Sequence, residues 1–403
     1  MHPRTALTAV PLGLFVALAP SNEAAAQDTL FVTPGMPQLR RLEGGQTDRF
    51  TSDFNPAIGA VVDAFADWSD PDGDEDGFDL RLRSFELTLN GRIDPNWWGY
   101  AVLVGAEDEF TVEEAAAHYT GLGTNTTLRF GRFFADFGKQ MQVHTHDLPY
   151  PDRPGVLAEY LGDELPGVGA QFDHWWATGE SSALRASFGI FSELGGEHGH
   201  GEEEEEGPEL ALAGRRDAGD LAFTARVTQF MDVNDNTVFQ WGASARHLGD
   251  FAFEDEENDL TVAELSNTVY GVDLTLGIDD DSGLSGWTFG GEYLMASGDI
   301  GAEVVNPTTL EVLDDDVSGF YVWGERRFDQ FNSAGVLFGS FEHPEEEKPT
   351  DDEVTAYYTR NMSEFARVRV FATFEDSEEA GETTTVGIQL TGYFGPHSHG
   401  VNW

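Results

Sequence analysis

The stretch SFELTLNGRI, residues 84–93, decides how the chain folds. Phe85, Leu87, Leu89 and Ile93 fall on one face at a spacing of two. Ser84, Glu86, Thr88, Asn90 and Arg92 fall on the other. A period of two belongs to a strand, because successive side chains point to opposite faces. The same alternation runs through ALRASFGIF (183–191), LAFTARVT (221–228), VDLTLGI (272–278) and ARVRVFATF (366–374). Strands of about ten residues with one apolar and one polar face mark a membrane β-barrel, whose lipid side and lumen side alternate. A soluble sandwich alternates in a similar way. The export signal, the number of strands and the polar second face favour the barrel.

The connections support that choice. Every second one is short: DPN (94–96), GTNT (123–126), TGESS (178–182), DAGD (217–220), LGD (248–250), IDDDSG (278–283), FDQ (328–330) and NMSE (361–364). The intervening connections are mostly longer and often acidic. Short periplasmic turns and long extracellular loops are the asymmetry of outer-membrane barrels. Counting strands gives seventeen, and an even number is required. Taking FAFEDEEN (251–258), after LGD, as a short upward strand makes eighteen; sixteen is the alternative. The expected fold class is all-β, a transmembrane antiparallel β-barrel.

Residues 1–26 read as a cleavable secretory signal: Arg4, an apolar run from Ala6 to Leu18, and small residues before a cut after Ala26. The apolar run is too short to span a bilayer as a helix, which needs about 20 residues. Residues 27–53 form a polar N-terminal segment, and 54–403 form the barrel. The expected location is the bacterial outer membrane, with lipid and the barrel-assembly machinery as partners. Cysteine is absent, so no disulfide supports the fold.

The formal net charge is −51, and lysine occurs only at Lys139 and Lys348. Such self-repulsion suits high salt, where screening is short-ranged. An acidic surface in ordinary salt is the other reading. Nucleic acid is excluded as a partner, since its phosphates would be repelled.

The longest outer connection holds FGKQMQVHTHDLPYPDRP, residues 137–154. Three prolines bar a helix or a central strand. Loops of this length are usually functional. The expectation is a segment from Asp136 to Pro166 folded into the barrel, with Lys139, His144, His146, Asp147, Asp152 and Arg153 at the constriction. An ordinary surface loop, or a metal site on the two histidines, stays open.

The polar strand faces offer Arg92, Arg129, Arg185, Arg226, Arg246, Arg367 and Arg369 as lumen charges, with Glu86, Asp273 and Glu292 as acids beside them. An arginine-lined lumen favours anions; the acidic loops favour cations. His198, His200, Glu202 and Glu203, within GGEHGHGEEEEEG (195–207), are candidate divalent-metal ligands. Asp72, Asp74, Asp76 and Gly77 have calcium-loop spacing, but Arg83 stands where the twelfth-position glutamate belongs. His397 and His399 carry the same ambiguity. No cofactor is required; weak Ca²⁺ or Zn²⁺ in the outer loops is left open. No G-x-S-x-G, H-E-x-x-H or phosphate loop occurs, so no enzyme activity is expected.

FNPAIGAVVDAF (54–65), FGKQMQVHTHDLPYPDRP, GVGAQF (167–172) and the terminal GYFGPHSHGVNW (392–403) resemble a family of bacterial porin-like outer-membrane barrels. That family is loosely related to phosphate-selective porins, and some members are described as zinc-regulated TonB-dependent receptors. The resemblance implies a pore narrowed by its third loop. A receptor would need a plug domain and about 22 strands, which Gln27–Trp403 cannot hold together. DTLFV (28–32) faintly resembles a TonB-contact motif.

The expected function is passive diffusion of small hydrophilic solutes or ions. The alternatives are a zinc or divalent-metal uptake barrel without a plug, and a structural or adhesive barrel. A homo-oligomer is left open.

Overall fold

The computed structural model describes residues 56–395 apart from 72–75, 107–108, 196–208, 213–216, 219–220, 256–259, 307, 315, 345–347 and 379–380. Its strands are β1 (Ala57–Pro71), β2 (Gly77–Asp94), β3 (Trp97–Ala106), β4 (Glu109–Tyr119), β5 (Thr126–Phe134), β6 (Pro166–Gly179), β7 (Ser182–Leu194), β8 (Glu209–Leu212), β9 (Ala222–Asn234), β10 (Thr237–Asp255), β11 (Leu260–Asp279), β12 (Gly286–Asn306), β13 (Thr309–Asp314), β14 (Val317–Arg327), β15 (Asn332–Glu342), β16 (Thr350–Ser363), β17 (Ala366–Ser377) and β18 (Gly381–Phe394). Between β5 and β6 lie a single 3-10 turn, Thr145–Asp147, and the helix α1 (Gly155–Leu161).

Neighbours in sequence pair antiparallel except around β8 and β13, and β1 pairs with both β2 and β18. The sheet therefore closes on itself, as backbone in lipid requires. The eighteen strand segments fill sixteen positions in the wall. β8 pairs with the outer end of β10, in line with β9, which pairs with its inner part. β13 pairs with β12 from Asp299 to Asn306, and β14 takes over from Ala296 down to Gly286.

The ring is thus the sixteen-strand alternative, and the expectation of eighteen spanning strands is corrected. LGD is not a turn but sits inside β10, at register shifts around Gly249, Phe251 and Phe253. Asp250 has φ 51°, a left-handed conformation that bulges and turns share. Asp217 and Ala218 of DAGD lie between β8 and β9, on the loop side. The periplasmic turn there is Asn234–Thr237, which pairs β9 with β10. The other six short turns fall where the sequence places them.

The two faces separate as the alternation demands. Val272, Leu274, Val322, Val336, Ile388 and Leu390 are exposed outward, while Asp273, Thr275, Gln389 and Thr391 beside them are buried inward. Near the turn rim Trp97 packs on Tyr119 and Phe130, with centroids 4.7 and 5.9 Å away; aromatic girdles occupy that level in outer-membrane barrels. Val272→Arg should cost about 2–4 kcal/mol, the price of an arginine near the bilayer midplane. Urea unfolding in lipid vesicles reads the loss, and an unchanged midpoint would place Val272 off the lipid face.

The apolar core lies inside the ring. Phe65, Leu294, Tyr321, Leu337, Tyr357 and Phe371 of the wall pack with Phe137, Met141, Leu148, Tyr150, Val156 and Leu157 of the segment between β5 and β6. A wholly polar, water-lined lumen is what alternation alone would suggest; the inner face instead bears aromatics where this segment packs.

Candidate functional site: the segment inside the barrel

Residues 135–165 leave β5 and are pinned to the wall at three places. The first is Asp136, only 1% exposed. Its carboxylate meets Arg185 Nη1 at 2.7 Å and Arg226 Nε at 3.7 Å, and it accepts from the Ser187 hydroxyl. Arg226 also pairs twofold with Asp273, at 2.6 and 3.1 Å. Gly138 follows with φ +55°, and a Cβ there would collide with the Glu292 carboxylate. The Lys139 and Gln140 amides donate to Glu292 Oε1 at 3.0 and 3.1 Å, and Tyr321 OH donates to the same oxygen at 2.7 Å. Lys139 Nζ reaches Gln240 at 3.1 Å. Burial pushes its ammonium down to about 8, opposed by Asp273 and Glu292.

The second place is across the lumen on β16–β18 and β1–β2. Arg367 donates to the His146 carbonyl. Arg369, 1% exposed, donates to the carbonyls of Leu148 and Tyr150 at 2.8 and 2.7 Å and to Gln389 and Thr359. Tyr393 OH reaches Asp147 at 3.1 Å. Arg83 donates to Pro151 O and Asp152 at 2.8 Å each, and to Asp63. Arg83 reaches the lumen through a β-bulge: Asp63 pairs with Ser84 and Ala64 with Leu82, so Arg83 is the extra residue.

The third place is α1. The Gly155 amide donates to Glu353 at 3.1 Å, and Tyr160 OH to the Glu342 carbonyl at 2.7 Å. His343 bridges Glu159 of the helix (3.4 Å) and Asp351 of β16 (2.9 Å). The hydrogen bond to Glu159 raises its pKa to about 9, against partial burial. A raised folded-state value means that the bridge stabilises fully below the ordinary value of about 6.5 and is lost as pH climbs through 9. A spin label on Ala158→Cys, the sole thiol in this chain, should gain mobility between pH 7 and 10. His343→Gln should leave it mobile throughout; a pH-independent label would exclude the bridge.

Of the expected constriction residues, His144 and His146 are buried, Lys139 and Asp147 are half-buried, and Asp152 is exposed beside Arg83. Arg153 is buried and ties the segment to itself, donating to the carbonyls of Gln140 and Val143 at 2.9 Å each. Among the expected lumen charges, Arg129, Arg185, Arg226, Arg246, Arg369, Glu86, Asp273 and Glu292 are buried inward. Arg92 is exposed near the turn rim. Arg246 donates to Asn267 at 2.8 Å, and Arg129 to Phe134 O and Gln171. His198, His200, Glu202, Glu203, His397, His399, Asp72 and Asp74 lie outside the described residues.

The two histidines meet Glu86, one of the expected lumen acids, and two acids that the sequence reading passed over, Glu113 and Glu114. His144 Nε2 is 3.0 Å from Glu114, and its Nδ1 is 3.1 Å from Glu113 and 3.5 Å from Glu86. His146 Nδ1 is 2.7 Å from Glu86. Glu113 and Glu114 are consecutive, so a regular strand would point them apart. A bulge brings them together: Val102 pairs with Glu114 and Leu103 with Val112, leaving Glu113 as the extra residue. Burial opposes a charge on His144, yet Glu113 and Glu86 hold its pKa well above the ordinary range. Burial and the Glu113 charge push the Glu164 carboxyl up to about 8.

No family model matches the sequence. An uncharacterized protein of Aquifex aeolicus is 27% identical over 317 residues, 73% of this chain; the chain spans 62% of that relative's length. Solved barrels superpose across almost their whole length. OmpT of Vibrio cholerae aligns with TM-score 0.52 at 11% identity, covering 85% of this chain and 99% of that one. The anion-selective porin of Comamonas acidovorans gives 0.54 at 11%, covering 84% and 99%. OprB of Pseudomonas putida gives 0.54 at 9%, covering 87% and 96%. The chain has the fold of a porin-like outer-membrane β-barrel.

Proposed function

We propose that the barrel is a passive channel for small hydrophilic solutes or ions, with residues 136–166 as its constriction. One observation carries the reading. The segment is held by Arg185 and Arg226 of β7 and β9 at one end and by Arg367 and Arg369 of β17 further on. A chain tied to separated parts of a closed wall must cross the space between them. The polar inner face outside that crossing supports a hydrated path, and the function needs no catalytic group. The signal at residues 1–26, the segment 27–53 and the high-salt setting belong to the same proposal and lie outside the described residues. OmpT of Vibrio cholerae is described in a trimer form, and we extend a homo-oligomer to this chain on the shared fold.

Planar-bilayer recordings with reversal potentials test the channel. Fixed charge acts within about a Debye length, ~8 Å at physiological salt and ~3 Å at 1 M. The acidic loops should therefore give cation preference at low salt that fades as salt rises. A barrel that never conducts, reconstituted in several lipids, would favour a structural role. Strong anion selectivity at every salt concentration would make the acidic mouth irrelevant.

A further inference from the structure

We infer that His144, His146, Glu86 and Glu113 form a site for a borderline divalent metal cation of the Zn²⁺ class, fastening the lumen segment to β2 and β4. Three observations point to a ligand.

The first is the donor geometry. Glu86 spans the two imidazoles, with Oε1 2.7 Å from His146 Nδ1 and Oε2 3.5 Å from His144 Nδ1. Glu113 Oε2 lies 3.1 Å from the same His144 nitrogen. Donors bonded at about 2.0–2.1 Å around a tetrahedral ion stand roughly 3.3 Å apart. The ligand atoms of Glu86, His144 and His146 lie within 4.8 Å of one another, and so do those of Glu113, His144 and Glu164.

The second is the support behind the imidazole. His144 Nε2 faces Glu114 Oε1 at 3.0 Å, and Glu114 is itself held by Tyr100 OH at 2.6 Å. A carboxylate behind the distal nitrogen fixes the tautomer that leaves Nδ1 as a ligand, the arrangement that metal-bound histidines use.

The third is the bulge. It turns Glu113 and Glu114 toward one imidazole from adjacent positions. A merely structural salt bridge to His144 needs one of them; a ligand and its supporting carboxylate need both. The histidines are 1% exposed, and carboxylates outnumber imidazoles around them. Bringing that many acids together out of water is costly unless a cation joins them. The mixed nitrogen and oxygen set suits Zn²⁺, Co²⁺ or Fe²⁺, and argues against Ca²⁺ and Mg²⁺, which prefer all-oxygen shells.

The test is Co²⁺ titration of the purified full-length barrel in detergent, followed by its visible d–d bands, with Zn²⁺ in competition. Barrel folding is checked by heat-modifiable mobility. One Co²⁺ per chain is expected, displaced by Zn²⁺ and not by Ca²⁺. Glu86→Gln and His146→Gln should weaken Co²⁺ at least ten-fold. Glu114→Gln should weaken it by about 10–100-fold, as loss of a supporting carboxylate does. His198→Gln with His200→Gln should leave the signal unchanged. Equal affinity in wild type and His146→Gln would overturn the proposal. Cobalt-edge X-ray absorption on the wild type decides independently of variant folding: two imidazoles support the site, and an all-oxygen shell overturns it. The readout is binding, so a barrel that fails to conduct leaves this result standing.

Discussion

Replacing residues 140–155 by a short Gly-Ser linker should raise single-channel conductance several-fold. Met141, Val143, His144, His146, Leu148 and Tyr150 are each no more than 4% exposed, although they belong to a connection and not to the wall. Their cover comes from the inner face of the ring, so the volume they fill is lumen volume. A sixteen-strand barrel relieved of such a segment holds an aqueous channel. The change spares Asp136 and α1 from Val156 onward, losing only Gly155 and its bond to Glu353, and it leaves every wall pairing intact. It also frees Arg367 and Arg369, whose guanidiniums now serve the carbonyls of residues 146, 148 and 150. The widened pore should therefore shift toward anions as it gains conductance. A correctly folded variant with unchanged conductance would place the ion path elsewhere and sink the constriction.

That shift illustrates where sequence reading stopped. Arg367 and Arg369 alternate with Val368 and Val370, so their inward direction was legible from period two. Their partners were not, because the carbonyls they bind lie more than 200 positions away in a segment with no periodicity. The segment announced itself by length and proline; that it narrows a pore is what we propose. Arg153 did not announce its role: a side chain that closes a loop on its own carbonyls has no pattern in sequence. The strand count failed for a local reason. Leu248–Asp250 has turn chemistry, Gly followed by Asp, and the left-handed conformation of Asp250 serves a bulge as readily as a hairpin. Bulges hid Arg83 and Glu113 in the same way. Alternation assigns neighbours to opposite faces, and a bulge is where that rule lapses. The acids facing His144 were therefore visible as residues and invisible as a cluster.

Asp136→Ala should lower the unfolding free energy by about 3–5 kcal/mol, the usual cost of breaking a buried ion pair from one side. Asp136 is 1% exposed and stands between Arg185 and Arg226, with the Ser187 hydroxyl as a further donor. Each arginine retains another acid, Asp173 and Asp273 respectively. The loss therefore falls on the joint between β7 and β9 and on the entry of the lumen segment, while the wall hydrogen bonds persist. Asp136→Asn should cost less, since an amide oxygen still accepts from Ser187 and Arg185. Combining Asp136→Ala with Arg185→Met should cost less than the two changes summed, because each then removes a group the other left unpaired. Urea unfolding in lipid, read by tryptophan fluorescence, supplies all four values. A loss below about 1 kcal/mol for Asp136→Ala would match an exposed pair; water would then reach Asp136, and the segment would enter the ring more loosely than its burial implies.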